Sequence, residues 1–347
     1  MSKLRYYVSG NTAEGFVNYM PFNTEGLKQV IILKHPSETL KTAVLKQLIS
    51  HYDEGAEVLL SAKGSKYLDG IIMRGKSLAV VNDVLSTPEL PGAIEIDLSL
   101  FQKDKLYLTD DYMENKSKYE EAVQLAYQKF KKGLEIHDEL EEIYIGEMDF
   151  EKADQLAVSY ISKLLDGIPD KPKRTDPPHR LFGTNTPEGV VNEIPHLIEN
   201  ISTVYHVKGR AGTGKSTFMK KIGEACSSKG YDVEFYHCSF DPGSIDMVMV
   251  RELEFCLFDS TDPHEFFPER EGELIIDLYK EAVAPGTDEK YADAIQEVNQ
   301  RYKSFMKEGI KDLKQAGAHL EEVERSFRFT ETECRHIASF LTEKVIT

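Results

Sequence analysis

The chain has 347 residues, with 42 Lys and Arg against 59 Asp and Glu, a formal net charge of −17. That balance argues against a general electrostatic grip on nucleic acid or an anionic membrane, and the length suits two domains with apolar cores of their own. MSKLRYYVSGNTAEG lacks a signal-peptide core, no apolar run is long enough to span a bilayer, and the four cysteines have no CxxC spacing, so a reduced, cytoplasmic protein without a membrane span is expected.

In chain order, the first strong elements are an apolar strand, Val30-Ile31-Ile32-Leu33, a turn, and a helix opened by Lys41-Thr42. A second apolar strand, LAVV, ends at Asn82 and Asp83. From Asp110 to Leu165 strong helix formers carry apolar residues at helical spacing with no interior proline, which predicts a long helical hairpin whose charge runs are solvated. Residues 166–180, DGIPDKPKRTDPPHR, hold four of the 14 prolines and read as a semi-rigid linker.

The half beyond the linker repeats the half before it. Shifting the chain by 174 lays residues 11–46 on 185–220 with 13 identities in 36 positions, among them Asn11/Asn185, Gly15/Gly189, Pro21/Pro195, Lys34/Lys208 and Lys41/Lys215. Unrelated sequences would give about two, so the period marks a duplication. At a shift of 177, Asp69 meets Asp246 and Arg74 meets Arg251. The predicted organisation is a domain over 1–165, the linker over 166–180, and a domain over 181–347. Each is expected to be an α/β unit, with a mainly parallel sheet, flanking helices and a helical hairpin.

The second half carries the chemistry. Within VYHVKGRAGTGKSTFMKKIGEA, Gly209, Arg210, Ala211, Gly212, Thr213, Gly214, Lys215 and Ser216 match GxxxxGK[ST], after an apolar strand and before an amphipathic helix. Such a loop turns backbone N–H groups inward, and glycines permit angles and approaches that a Cβ would forbid. The passage resembles the P-loop NTPases, and the whole chain resembles a bacterial family of tandem P-loop proteins described as ATPase or nucleotide-kinase-like. The resemblance implies ATP and Mg2+ as ligands. Residues Gly209 to Thr217 would cradle the phosphates, Lys215 would bridge the β- and γ-phosphates, and Ser216 would ligate Mg2+.

A second acidic signal lies further along. Phe255 to Phe258 form an apolar strand ending in Asp259, which the resemblance assigns to the magnesium shell. Asp262, His264 and Glu265, in the loop beyond it, are candidates to orient a water or accept a proton, against the plainer reading of a polar, proline-containing loop. HCSFDPGSID, 237–246, leaves the neighbouring strand at the same edge and is a candidate γ-phosphate sensor or second-substrate loop. Arg210, Arg251 and Arg270 are candidates to neutralise a transferring phosphoryl group. The segment Asn115-Lys116-Ser117-Lys118 lacks the Asp of a guanine-specificity motif, which favours ATP over GTP.

Three functions fit these signals. One is an ATPase coupling hydrolysis to movement between the halves, acting on a protein partner. The others are a kinase with a small-molecule phosphoacceptor such as a nucleoside, and a nucleotide-gated module with little turnover. The ATPase is favoured because no arginine-rich lid insertion is evident. In the first half HPSETLKT, 35–42, lies on GRAGTGKS, so His35 and Leu40 replace Gly209 and Gly214, and Asn82 replaces Asp259. A cradle with two added Cβ atoms and Pro36 is expected to bind no Mg-nucleotide.

Overall fold

The computed structural model describes residues 3–52, 55–102, 108–172 and 176–344. Short apolar runs bounded by Gly, Pro and Asn form the strands. The first half opens with β1 (Arg5–Tyr7), the hairpin β2 (Ser9–Thr12) and β3 (Gly15–Asn18), then β4 (Gln29–Lys34) and α1 (Glu38–His51). β5 (Ala56–Leu60), β6 (Leu68–Met73), β7 (Leu78–Asn82) and β8 (Ile94–Asp97) complete its strands. Two helices come next, the 36-residue α2 (Asp110–Ile145) and α3 (Phe150–Leu165). Thr109 and Asp149 cap them, each accepting a first-turn N–H.

The second half repeats this order. β9 (His179–Leu181), the hairpin β10 (Gly183–Thr186) and β11 (Gly189–Asn192), and a short α4 (Ile194–Ile198) lead to β12 (Thr203–Lys208) and α5 (Lys215–Ser228). β13 (Glu234–His237), β14 (Ile245–Val250), β15 (Phe255–Asp259) and β16 (Glu273–Asp277) come after them. The helices α6 (Leu278–Ala282) and α7 (Thr287–Lys290) precede the long α8 (Ala292–Glu324) and the terminal α9 (Glu331–Lys344).

The halves are joined into one 12-stranded sheet of order β16-β12-β15-β14-β13-β9-β1-β5-β6-β7-β4-β8. Outward from the β9–β1 junction, each half has the same strand order. The sheet is mixed: β1–β5, β4–β7, β4–β8, β12–β15, β12–β16 and β13–β9 are parallel, and the remaining neighbours are antiparallel. The second half begins inside the expected linker, because His179 and Arg180 already belong to β9; residues 173–175 of that linker lie outside the described residues.

Alternation along the strands divides the core by face. Val30, Ile32, Val81, Val204, Met247 and Phe258 enter one core shared by both halves. On the opposite face Ile31, Leu33 and Val80 pack under α1, while Tyr205, Val207 and Leu257 pack under α5. At the junction the buried Arg180 guanidinium lies over the Tyr6 ring at 4.0 Å, with Glu234 at 3.1 Å and Glu57 at 3.5 Å. One cation thus joins an acid from each half.

The expected helical hairpins are not formed. α2 instead runs antiparallel to α8: near one end Asn115 meets His319, and further along Lys129 pairs with Glu308 and Glu139 with Arg301. They are tightly packed at Gly309, where an added Cβ would lie 2.4 Å from the Phe130 ring. The terminal helices then cross over. α3, from the first half, packs through Ala157 and Leu165 on Phe218, Met219 and Ile222 of α5. α9, from the second half, packs through Ile337, Ala338 and Leu341 on Leu40, Val44 and Leu48 of α1. Both helices exchange because each is amphipathic and finds its apolar cover on the other half.

Candidate functional site

β12 lies between β15 and β16 and pairs with both in parallel, so the chain leaves it at their shared carboxyl edge. There Gly209 to Gly214 turn into α5. Gly212 and Gly214 take φ of +70° and +77°, left-handed values that glycine adopts without strain. Gly214 is the N-cap of α5, and no side chain caps that helix. Its first N–H groups and the positive end of its dipole therefore face the loop without a carboxylate or hydroxyl cap.

The polar side chains converge on this turn. Lys215 reaches back to donate from Nζ to the Arg210 carbonyl at 2.7 Å and stands 3.6 Å from Asp259 Oδ2. Ser216 Oγ accepts from the Ile245 N–H at 2.8 Å, and Thr261 donates to Asp259 Oδ1 at 2.6 Å. The Thr213 hydroxyl braces the loop by donating to the Arg210 carbonyl at 2.8 Å. Ala211 packs beside Tyr144 and Met148, and Thr217 is exposed on the first turn of α5.

A second carboxylate stands beside Asp259. Met247 pairs with Phe258 across β14 and β15, and one step further along that register sets Asp246 opposite Asp259. Burial pushes the Asp246 carboxyl up to about 7, Asp259 adds to this, and Lys215 partly offsets it. Two facing acids beside a hydroxyl and a lysine fit a divalent cation, whose charge would relieve their repulsion. Ser216 and Asp259 would hold it. Among the described residues no group of three or more His, Cys, Asp and Glu side chains forms a self-sufficient metal site, so a cation held here would draw its other ligands from outside the chain, water included. Sequence reasoning reached Asp246 only as the last residue of the 237–246 segment and did not single it out, although its match to Asp69 across the repeat was the available signal.

The other candidates are dispersed. Arg210 pairs with Asp288 at 2.8 Å and lies over the Tyr279 ring at 5.1 Å, at the rim of the loop. Arg251 is engaged with Glu234, and Arg270 with Glu273 and the carbonyls of Ile198 and Glu199, so both are structural. Asp262 is exposed and pairs with Lys303 of α8 at 2.8 Å, and Glu265 meets Lys208 at 3.4 Å. His264 is only 6% exposed, its ring edge-on to Phe182 of the shared core. Burial lowers its pKa, which Asp259 and Asp262 partly offset. The loop after β15 thus turns His264 into the interior. In 237–246, His237 stacks on Tyr19 and lies 2.7 Å from His179, leaving Asp246 as that segment's contribution.

The α2 helix, from the other half, covers the turn. A Cβ on Gly212 would lie 2.6 Å from the Glu141 carbonyl, and one on Gly214 would lie 3.7 Å from Met148 Cε. His137 on α2 is lowered by burial; Glu141, at 3.7 Å, partly offsets this and the Lys215 ammonium adds to it. These residues carry no motif. They reach the site only because the helices cross between halves.

The first half has the same elements in a closed arrangement. Ser37 caps α1 by accepting from the Leu40 N–H. The Glu324 carboxylate of α8 then accepts from Ser37 Oγ at 2.7 Å, from the Glu38 N–H at 2.7 Å and from the Thr39 N–H at 3.2 Å. Lys41, 1% exposed, is held by Glu38 at 3.0 Å and Asp83 at 2.5 Å. Asn82 donates to the Leu68 carbonyl at 2.7 Å. Aligning α2 and α8 on Gly133 and Gly309 sets Met148 at the place of Glu324. One pseudo-equivalent turn therefore holds an internal carboxylate, and the other faces a thioether.

No protein-family model, curated protein or solved structure matches the chain, so the functional reading rests on this geometry and on the Gly209–Ser216 motif.

Proposed function

We propose that the chain is a P-loop NTPase that binds ATP with Mg2+ in its second half, hydrolyses it, and uses its first half as a non-hydrolytic partner. The observation that carries this reading is the asymmetry between the two turns. The α1 terminus is filled by Ser37 and Glu324, whereas the α5 terminus opens on a glycine turn with no side-chain cap. An anion of the right size meets inward N–H groups and a helix dipole only at the second.

Each residue then has a task. The amides from Gly209 to Ser216 hold the phosphates. Lys215 exchanges the Arg210 carbonyl and Asp259 for phosphate oxygens, and Ser216 turns its free lone pair to the cation. The cation supplies charge neutralisation at the transferring group when bound. Asp259 orders that shell, with Asp246 beside it. Arg210, at the rim, is the nearest arginine for the outer phosphates. Because Glu141 and Met148 of the first half's arm rest on Gly212 and Gly214, nucleotide occupancy is coupled to α2 and, through it, to α8.

The test is phosphate release from ATP with and without Mg2+, with calorimetric stoichiometry. One ATP per chain and slow Mg2+-dependent release abolished by Lys215→Ala are expected. Nucleoside acceptors are included in parallel. Phosphate appearing on an acceptor instead of in solution would make the protein a kinase, and absence of nucleotide binding would refute the reading outright.

A further inference from the structure

Beside the closed turn of the first half lies a cavity of about 250 Å3. Its walls are mainly apolar and aromatic, with Phe16, Tyr119 and Tyr127 from the first half and Leu313 and Ala316 from α8. One acid faces it. Asp69 is 1% exposed; its Oδ2 accepts from Ser9 Oγ at 2.7 Å, while Oδ1 has no hydrogen-bond partner among the described residues. A buried acceptor without a partner costs free energy that a ligand donor would recover.

The charges around it are unbalanced in one direction. Lys41 and Lys63 are both committed to Glu38, at 3.0 Å and 2.5 Å, and Lys41 also to Asp83. With Asp69 included, three acids face two lysines. The space is also particular to this position. The shift of 177 that matches Asp69 to Asp246 matches Lys63 to Phe240, and Phe240 packs with Phe130 of α2 and with Leu313 and Tyr302 of α8.

We infer that this cavity is a binding site for a small aromatic amine, a one- or two-ring planar molecule whose N–H donor or cationic nitrogen pairs with Asp69 Oδ1. Size, wall chemistry and charge agree. A cavity of roughly 150 Å3 takes one benzene ring, so this one admits a second ring or an amino substituent. Tyrosine and phenylalanine faces favour flat π-systems and cations over them. Burial raises the Asp69 carboxyl, and Lys63, Ser61 and Ser9 partly offset this; a ligand donor or cation at Oδ1 would favour its charged form and an anion would not. Since α8 forms one wall and pairs with α2, which rests on the Gly212 turn, the site is positioned as an effector pocket. The binding claim stands apart from nucleotide hydrolysis in the other half.

The test uses the full chain and two probes of similar size, 2-aminobenzimidazole and benzofuran, titrated by calorimetry without nucleotide. The amine is expected to saturate at one per chain and to bind about tenfold or more tighter than the donor-free ring, through its charge-assisted bond. Asp69→Asn should erase that preference, and Ala316→Phe, which fills the cavity, should abolish binding. Val123→Phe, at a lining residue on α2, replaces Ala316→Phe if melting shows that variant unfolded. No saturable binding, equal affinity for both probes, or binding that survives both Asp69→Asn and the filled cavity would overturn the inference. A hydrolysis-dead Lys215→Ala chain should bind the amine as the wild type does, which separates this site from the nucleotide reading.

Discussion

Replacing Glu324 by alanine probes the asymmetry on which the functional reading turns. The carboxylate accepts two short bonds of 2.7 Å and a longer one of 3.2 Å at the start of α1. Half-buried, it also compensates the α1 dipole, a contribution of about 0.3–1 kcal/mol at exposed sites and up to ~2 kcal/mol when partly buried. Charged hydrogen bonds are worth about 1.5–3 kcal/mol each, and water replaces part of that once the site opens. Glu324→Ala should therefore destabilise the chain by about 1–3 kcal/mol, read as a shift of the urea midpoint at unchanged slope. Adding Ser37→Ala should cost less in the Glu324→Ala background than in the wild type, because the two side chains share a hydrogen bond. Nucleotide stoichiometry is measured on the same wild-type sample. A Glu324→Ala chain as stable as wild type, or two ATP per wild-type chain, would refute the reasoning that an internal carboxylate closes the first turn.

Two further outcomes test the frame around the sites. Burial alone would raise the Glu234 carboxyl, but Arg180 and Arg251 outweigh it and hold it at about 2, below its ordinary 4.5. A depressed carboxyl adds stability that is complete above the unfolded value and lost as pH falls through the folded one, here about 3 kcal/mol between pH 4.5 and 2; urea melts of Glu234→Gln should show a flatter slope in that window, and an unchanged slope would count against the junction. Ile337→Ala on α9 should cost about 2–5 kcal/mol by leaving a cavity under α1. Hydrogen exchange should speed up in α1 rather than α5, and the reverse pattern would contradict the crossing of the terminal helices.

Local chemistry was legible in the chain and long-range geometry was not. GRAGTGKS after an apolar strand already specifies a glycine turn opening a helix, because Gly212 and Gly214 take left-handed φ without strain. The same comparison exposed the first half's His35, Leu40 and Asn82 as misfits, and the Asp69/Asp246 match held an unread pointer to the paired acids. By contrast, His264 and Asp262 looked like site residues because sequence proximity to Asp259 says nothing about which way a loop turns. The hairpin expectation failed for a related reason. An amphipathic helix declares that one face needs apolar cover, but periodicity carries no information about which surface supplies it.

By itself, then, the sequence determined the internal repeat, the glycine turn that opens α5 and the different residues of the matching turn at 35–42, since each is written in residues adjacent in the chain. Tertiary structure decided that both halves share one sheet, that Glu324 fills the first turn while Met148 faces the second, and that Glu141 and His137 join the site from the opposite half. Those contacts link residues far apart in the chain, and their positions are set by how two long antiparallel helices pack, with Phe130 against Gly309, a packing decision that no local pattern records.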